Sequence, residues 1–574
     1  MDEIEMRQHE KRLKLRVKTG FPQKAVRRSI SRSPSPSFSP DPMENRSFQY
    51  FQTYTLPRWT EFFESELWSQ KVLQLSHSDP AIKYGVLALS TLHERYENTS
   101  SSVHAKSKDF AFVQYMQAIK HSNDLLTAHQ SGKANLERVL IACIIFTCYE
   151  NLAGNFAAAN MHLRNGLRIL NQNKDNLTMH STASGETIGS VLYRFDLQAM
   201  TFSENASPYE FTLETRPECP RIPQDYANNS AARNDLVDLM RCMLWTAGIA
   251  DGNPQVTEHP TWRQVYSQLK TAFEEWDTNF AKYQQNVQQQ EQADPKTYAG
   301  NTLLKIYAIM TRIIVAAGAG CLNEMAWDQF VEPFKTVVDL AETLPVLRPP
   351  RSLPPSSRPS PSPSPGPSSA QLPENRPLAP SPEKSTSPSP PPPSGPSTLV
   401  FRTHPSPPPP PNPSQTHFSG GGGGTDTNPT SKHHTTPSSF SPSFELSPIV
   451  PLFLTACRCR DPLTRRRAIT LLLTCRRREG VWNSVGAGIV GLDWLKQEEG
   501  LNDDDGAVGR LSVVPPLTPG VQVAADVPED RRVLDVYIRV YAEEGLAGFS
   551  YKRKGGERAW EVKRGWGGGD GYWG

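Results

Sequence analysis

The hydrophobic residues between positions 136 and 170 follow the spacing of two consecutive helices. The apolar face of the first helix, from Leu136 to Thr147, is so wide that little polar surface remains, which is typical of a helix buried on most sides. Gly154 can then end this helix in a left-handed conformation, and Asn155 can cap the next one. The pattern predicts an antiparallel helical hairpin at the centre of an all-α core.

The same helical spacing recurs on both sides of this hairpin. Further helices are predicted at 80–96, 108–128, 188–204, 236–249, 262–283 and 303–317, with apolar positions at 334–340 closing the series. An aromatic-rich stretch, 48–68, is expected to pack on the edge of the core. Short polar turns join the helices in pairs. We therefore predict an all-α fold, a helical bundle or α-solenoid-like core built from helix hairpins.

Composition divides the chain into five segments. Many of the 52 prolines lie in 345–443, which also holds a glycine run, so this segment is predicted to be a disordered Pro/Ser/Gly-rich insertion. Its expected role is that of a spacer, although proline-rich segments also bind SH3-like or WW-like grooves. The other segments are predicted as follows: 1–46, a disordered basic tail with Ser-Pro repeats; 47–344, a helical domain; 444–500, a helical continuation of the same core; and 501–574, a partly disordered C-terminal segment in which 533–541 alternates like a helix or strand.

Charge and cysteine content narrow the class of protein. The net charge of +2 gives no signal for nucleic acid, but residues 11–28 form a basic tract that fits a nuclear-import signal, a phosphate-contacting arm or a solvated tail. Eight scattered cysteines predict buried free thiols in a reducing compartment. The N-terminus lacks the apolar segment of a signal peptide, and the longest strongly apolar run, 139–149, is too short to span a bilayer. We expect an intracellular protein without membrane contacts.

No residue pattern indicates catalysis. The chain lacks a phosphate-binding loop, a Gly-x-Ser-x-Gly elbow and a His-Glu-x-x-His motif, since Glu97 stands where the second histidine would follow His93. Cys457 and Cys459, with the distant Cys475, have no nearby histidine to complete a zinc site. We therefore predict that the protein is not an enzyme, and we assign no catalytic, cofactor-binding or metal-binding residues and no DNA-binding residues.

Two segments resemble the regulatory region of fungal zinc-cluster (six-cysteine, binuclear) transcription factors. Residues 139–170 match the pattern F-x-x-x-E followed by G-N-x-x-x-A-x-x-H-L-x-x-G-L-x-I-L. Beyond the insertion, residues 459–482 match C-R-D-P-x-x-R-R-x-A-x-x-L-L and R-R-E-G-x-W. Because Asp461 and Glu479 lie among the arginines of this second segment, we expect internal ion pairs between helices rather than phosphate contacts.

The resemblance implies a nuclear regulator of RNA polymerase II transcription, with partners in the transcription machinery and a possible homodimer. Its helical domain is expected to bind a partner or a small effector in a groove between helices. No cysteine precedes Cys143, so the zinc cluster of the family is missing from this sequence, and DNA contact is expected only if such a cluster lies upstream. The alternative is a helical protein-interaction scaffold without a DNA-related role.

Overall fold

The computed structural model describes residues 38–97, 104–130, 136–173, 186–201, 212–289, 294–318, 324–347, 441–501, 514–541, 546–553 and 559–565. These residues are mostly helical, as the hydrophobic spacing predicts. Most of the predicted tail and of the predicted insertion lies outside the described residues, so the disorder expected there stays a prediction.

The chain divides into two compact units, Met1–Arg46 and Ser47–Gly574. In the first unit, the Asp41 carboxylate accepts a hydrogen bond from the Met43 amide at 2.8 Å, at the start of the first helix. The site discussed below lies wholly in the second unit.

The described residues contain fifteen α-helices, with several π-helical and 3-10 turns between them. The helices are α1 (Pro42–Tyr50), α2 (Leu56–Trp59), α3 (Leu73–Ser76), α4 (Pro80–Glu97), α5 (His104–Gln130), α6 (Leu136–Ala153), α7 (Phe156–Gln172), α8 (Ile188–Met200), α9 (Asn229–Gly252), α10 (Pro260–Gln289), α11 (Pro295–Ala317), α12 (Val331–Thr343), α13 (Ile449–Arg458), α14 (Pro462–Cys475) and α15 (Ser484–Glu499).

The central hairpin forms as the sequence predicts. In α6 only Glu137, Arg138 and Ala153 are not buried. Gly154 ends the helix with a φ of 80°, and the Asn155 side chain accepts a hydrogen bond from the third residue of α7. Both signals are local to the turn, which is why the sequence alone reveals them.

The second helical block packs against the first across the insertion. α13 lies against α11 and α12, and α14 lies against α12. Buried residues from 62–347 and from 446–495 form one continuous hydrophobic core. Leu347 is buried in that core, so the ordered chain extends into the segment assigned to the insertion.

Two small three-stranded sheets accompany the helices. The first has the order β1–β2–β3 and contains β1 (Ser441–Ser443) parallel to β2 (Arg477–Glu479), which is antiparallel to β3 (Trp482–Asn483). The second is an antiparallel sheet in the order β4 (Val533–Tyr541), β5 (Leu546–Arg553) and β6 (Ala559–Gly565). The alternation at 533–541 therefore marks a strand. The other five strands were not predicted; β1, β2 and β3, of two or three residues each, depend on their tertiary partners.

One described helix, α11, is as long and apolar as a membrane span. Its apolar window is 67% buried inside the protein, as in the core helix of a globular domain, so its length and composition are weak evidence for a membrane segment. The longest strongly apolar run of the sequence, 139–149, lies elsewhere, in α6.

Candidate functional site

The candidate site is built around the turn between β2 and β3, which belongs to the second family-like segment. Gly480 occupies this turn with a φ of 52°, and its amide donates to the Ser443 carbonyl at 3.1 Å. A Cβ atom at Gly480 would lie 2.5 Å from Oε1 of Gln198 in α8. The turn therefore needs glycine both for its backbone conformation and for its close approach to the first block.

Side chains of this turn reach into three places of the first block. Arg477 Nη1 lies 2.9 Å from Glu61 Oε2. Arg478 Nη2 donates to the carbonyl of Asn151, near the end of α6, at 2.5 Å. Trp482 Nε1 donates to Thr201 Oγ1 at 3.0 Å. The β2–β3 turn thus fixes the second block onto the first.

A cavity of about 240 Å³ lies where the blocks meet. From the first block it is lined by α8 with the following residue Thr201, by α9 and by α11. From the second block it is lined by Leu446, α13 and the β2–β3 turn. The lining residues are Leu197, Gln198, Met200, Thr201, Met240, Met243, Leu244, Tyr307, Met310, Thr311, Ile314, Leu446, Val450, Pro451, Phe453, Leu454, Glu479 and Trp482. Four of them are methionines, whose flexible thioether side chains adapt to the shape of a ligand.

Most polar side chains of the cavity wall already have partners in the protein. Thr201 Oγ1 donates to the Gln198 carbonyl at 2.9 Å, Tyr307 OH donates to the Ser447 carbonyl at 2.9 Å, and Thr311 Oγ1 donates to the Tyr307 carbonyl at 2.8 Å. The hydrogens of these hydroxyl groups are therefore in use, although the hydroxyl oxygens can still accept. Apart from Trp482, whose Nε1 donates to Thr201, the remaining polar groups of the wall are Glu479 and the Gln198 amide.

Glu479 is a carboxyl group set into this apolar wall. Its Oε1 accepts the Ser447 amide at 3.0 Å and the Gln198 amide nitrogen at 3.4 Å, and its Oε2 meets the Ser447 hydroxyl. Burial raises the pKa of Glu479 to about 8, although the Ser447 hydrogen bonds and the charge of Arg477 act in the opposite direction. The carboxyl group is therefore mostly protonated and uncharged near neutral pH.

A buried ion cluster fixes the chain segment beside the cavity. Glu445 Oε2 lies 2.7 Å from Arg233 Nη1 and Glu445 Oε1 lies 3.4 Å from Arg194 Nε, while Arg194 Nη2 also pairs with Glu186 at 2.8 Å. These four side chains are each buried. Since Glu445 directly precedes the cavity residue Leu446, this cluster determines where the second block contributes to the wall.

The arginines of the second family-like segment form internal ion pairs between helices, as expected, and the acidic residues that lie among them in the sequence have other roles. Arg465 pairs with Glu498 at 2.8 Å and Arg466 with Glu499 at 2.6 Å, both on α15. Asp461 instead caps α14 by accepting from the Thr464 amide at 2.9 Å. Glu479 forms the hydrogen bonds given above. A residue-by-residue pattern could not reveal these partners, because they lie more than thirty positions away.

The first family-like segment is structural in the described chain. Glu150 of α6 accepts a hydrogen bond from Tyr115 OH at 2.5 Å, and Tyr115 also approaches His162 of α7 at 3.4 Å. All three are buried, and burial lowers the pKa of His162 to about 4. This buried hydrogen-bonded group joins α5, α6 and α7.

The described cysteines are free, and they do not gather into a metal site. Cys143, Cys148, Cys242, Cys457 and Cys459 are buried; Cys219 and Cys475 are partly buried, and Cys321 lies outside the described residues. Within the part of the chain that the structure describes, no group of three or more His, Cys, Asp or Glu side chains is arranged to hold a metal ion. The expectation that no metal or cofactor is needed stays a prediction.

Sequence reasoning anticipated a groove between helices but none of its residues. The available signals were the glycine and tryptophan of R-R-E-G-x-W and the Met240 and Met243 pair on one helix. Neither signal indicates a cavity by itself, because the residues that complete the cavity lie far away in the sequence. The contact between Gln198 and Glu479, for example, spans 281 positions.

Comparison with known proteins agrees with the resemblance seen in the sequence. Residues 46–317 match the family described as the fungal specific transcription factor domain. The chain is 26% identical over 495 residues, 82% of its length, to the aspercryptin biosynthesis cluster-specific transcription regulator atnN of Emericella nidulans, and the match covers 76% of that protein. It is 29% identical over 112 residues, 18% of its length, to the transcription regulator lscL of Purpureocillium lilacinum, covering 26% of that protein. No solved structure gives a significant match.

Proposed function

We propose, from the premise that residues 46–317 form a fungal specific transcription factor domain, that this transcription regulator is controlled by a small effector bound in the cavity between its two helical blocks. The family match, together with the relative that covers most of the chain, supports the regulator assignment. The effector is our addition. It rests on the adaptable, largely apolar cavity and its one buried carboxyl group.

The target genes are proposed from the same relative. That protein is named as a regulator specific to a biosynthesis cluster, so we propose that this chain also controls a set of biosynthetic genes transcribed by RNA polymerase II. It would act in the nucleus, as a homodimer with partners in the transcription machinery. It would reach DNA through a zinc cluster encoded upstream or through a DNA-bound partner.

The cavity explains how an effector would be sensed. Its walls come from helices on both sides of the insertion, so a bound molecule would contact both blocks at once. A ligand that binds only the joined arrangement favours that arrangement in proportion to its affinity difference between the two states. Regulation in this proposal needs no catalysis, and we propose that the protein has none.

The proposal is tested with the full-length tagged protein at its own locus. A filled variant, Met243→Trp with Ile314→Phe, occupies the cavity from α9 and α11. The control, Leu463→Trp, adds the same ring at a position of α14 that is 62% exposed and outside the cavity. Thermal unfolding of the purified variants checks that both remain folded.

We expect the wild-type protein in the nucleus and at promoters, with transcripts that change when the gene is deleted. The filled variant should keep promoter occupancy but fix transcription at one level under all growth conditions, whereas the control should respond as wild type does. A cytosolic protein that occupies no promoter would instead support the scaffold alternative. A filled variant that responds normally would contradict the effector site.

A further inference from the structure

We infer that the cavity between the two blocks binds an uncharged alcohol or phenol of about ten non-hydrogen atoms, with its hydroxyl group between Glu479 and Gln198. This inference rests on the proposed function and specifies the chemical class of the effector. It follows from the size of the cavity, the composition of its wall and the hydrogen-bonding capacity that its polar groups retain.

Size sets the first limit. An apolar protein cavity of about 150 Å³ accepts benzene. By proportion, the cavity of about 240 Å³ accommodates roughly ten non-hydrogen atoms, the size of two fused aromatic rings or a branched alkyl chain. The methionine side chains of α8, α9 and α11 can adjust to either shape.

The wall sets the second limit, which concerns charge. None of the described lining residues is Lys, Arg or His, so an anionic ligand would lose its hydration without gaining a cationic partner. An ammonium ligand has three protons to satisfy, and its charge would meet a single carboxyl group, Glu479, among the described lining residues. It would also require Glu479 to ionise within its apolar surroundings. An uncharged ligand avoids both costs.

The Gln198–Glu479 pair sets the third limit, which concerns the polar group. Both side chains are almost fully buried, with 4% and 1% of their surfaces exposed. The protonated Glu479 carboxyl can donate a hydrogen bond. Among the described residues, no donor forms a hydrogen bond with Gln198 Oε1. Gly480 packs closely against that oxygen, since an added Cβ would lie 2.5 Å from it, so a ligand would approach the oxygen from the cavity side. A hydroxyl group is the smallest group that accepts from the first and donates to the second.

The test measures binding of four matched probes to the purified full-length chain by isothermal titration calorimetry at neutral pH. Naphthol carries the hydroxyl group, naphthalene lacks it, naphthoate replaces it with an anion, and naphthylmethylamine replaces it with a cation. We expect naphthol to bind about tenfold more tightly than naphthalene, the worth of one well-made hydrogen bond, and both ions to bind more weakly than naphthalene.

Variants locate the probe and separate polar recognition from folding. In Glu479→Leu, naphthol should lose its tenfold advantage while naphthalene binds as it does to wild type, which shows that the cavity is intact. Glu479→Gln, which can still donate, should retain most of the advantage. The filled variant, Met243→Trp with Ile314→Phe, should bind neither probe, and Leu463→Trp should bind both.

Three results would overturn the inference. One is equal affinity for naphthol and naphthalene, another is tightest binding of either ion, and the third is no binding of any probe. A tightly bound ion would change the ligand class and leave the effector site standing. By contrast, a failure of the proposed function would appear as normal transcriptional control by the filled variant, whichever probe binds in solution.

Discussion

The two segments that resemble the fungal family differ in how closely they pack against the rest of the protein. The α6–α7 hairpin is close-packed: a Cβ added at Gly166 of α7 would lie 3.3 Å from Cys143 Cβ and 3.2 Å from Leu192. The β2–β3 turn instead forms part of a cavity wall, to which it contributes the carboxyl group of Glu479. The difference teaches that one family-like segment belongs to the close-packed scaffold, while the other borders the cavity where the two blocks join.

We expect the largest loss of stability when the buried ion cluster at the junction of the two blocks is disrupted. Glu445→Ala removes the carboxylate that pairs with Arg233 and Arg194, leaving buried guanidinium groups with one acidic neighbour, Glu186. We expect a loss of about 3–5 kcal/mol in the free energy of unfolding, measured by urea denaturation. Removal of the exposed Glu342, which pairs with Arg467 on the surface, is the matched control and should cost less than about 1 kcal/mol. Equal losses for the two variants would contradict a role of the cluster in fixing the junction.

The next prediction compares the packing of the α6–α7 hairpin with that of the cavity wall. Leu140→Ala in α6 empties a fully buried position of the close-packed hairpin and should cost about 3–5 kcal/mol. Leu446→Ala removes an equally large side chain from the cavity wall, where fewer atoms contact it, and should cost at least about 1 kcal/mol less. Urea denaturation of both variants provides the comparison, and a costlier Leu446→Ala would show that the cavity is not a loosely packed region.

A third effect concerns the turn itself. Gly480→Ala forces a side chain onto a backbone with positive φ and against the Gln198 amide, so we expect a loss of about 1–3 kcal/mol. Gly520→Ala is the control. Gly520 has a φ of 87° and no atom within 4 Å of an added Cβ, so this substitution introduces backbone strain without a steric contact. Thermal unfolding should show Gly480→Ala to be the more damaging of the two. The reverse order would mean that the close approach to Gln198 is unimportant.

The last effect, the smallest for a change of one pH unit, is a pH dependence of stability. Burial raises the pKa of Glu479 from 4.5 to about 8, so between these values the folded protein holds a proton that the unfolded chain has released. Stability contributed by this proton is present at low pH and is lost as pH rises towards 8. Compared with Glu479→Gln, the wild type should therefore lose up to about 1.4 kcal/mol per pH unit across this window.

Urea denaturation of wild type and Glu479→Gln at several pH values measures that difference. The nearby titratable groups Arg477, Glu445 and Tyr307 are common to both proteins, so their contributions largely cancel. Parallel pH profiles would show that Glu479 is charged in the folded protein, and the uncharged cavity wall would then be wrong.

The sequence predicted the hairpin more completely than the junction, for a physical reason. The hairpin is encoded locally by a wide apolar face, a glycine at a left-handed position and an asparagine cap. The junction depends on contacts such as that of Arg478 with Asn151, 327 positions apart, and on charge pairs whose partners are interchangeable in sequence. The helical class and the family resemblance were confirmed, whereas the residues that enclose the cavity required the fold.

One experiment tests both that the two helical blocks form one core and that the cavity lies between them. A specific protease site is placed near the middle of the 345–443 segment of the full-length chain, and the purified protein is cleaved there. We predict that the two fragments elute together in size-exclusion chromatography and bind naphthol with the affinity of the uncut chain. Fragments that separate, or that stay together without binding naphthol while the uncut chain binds it, would contradict the account.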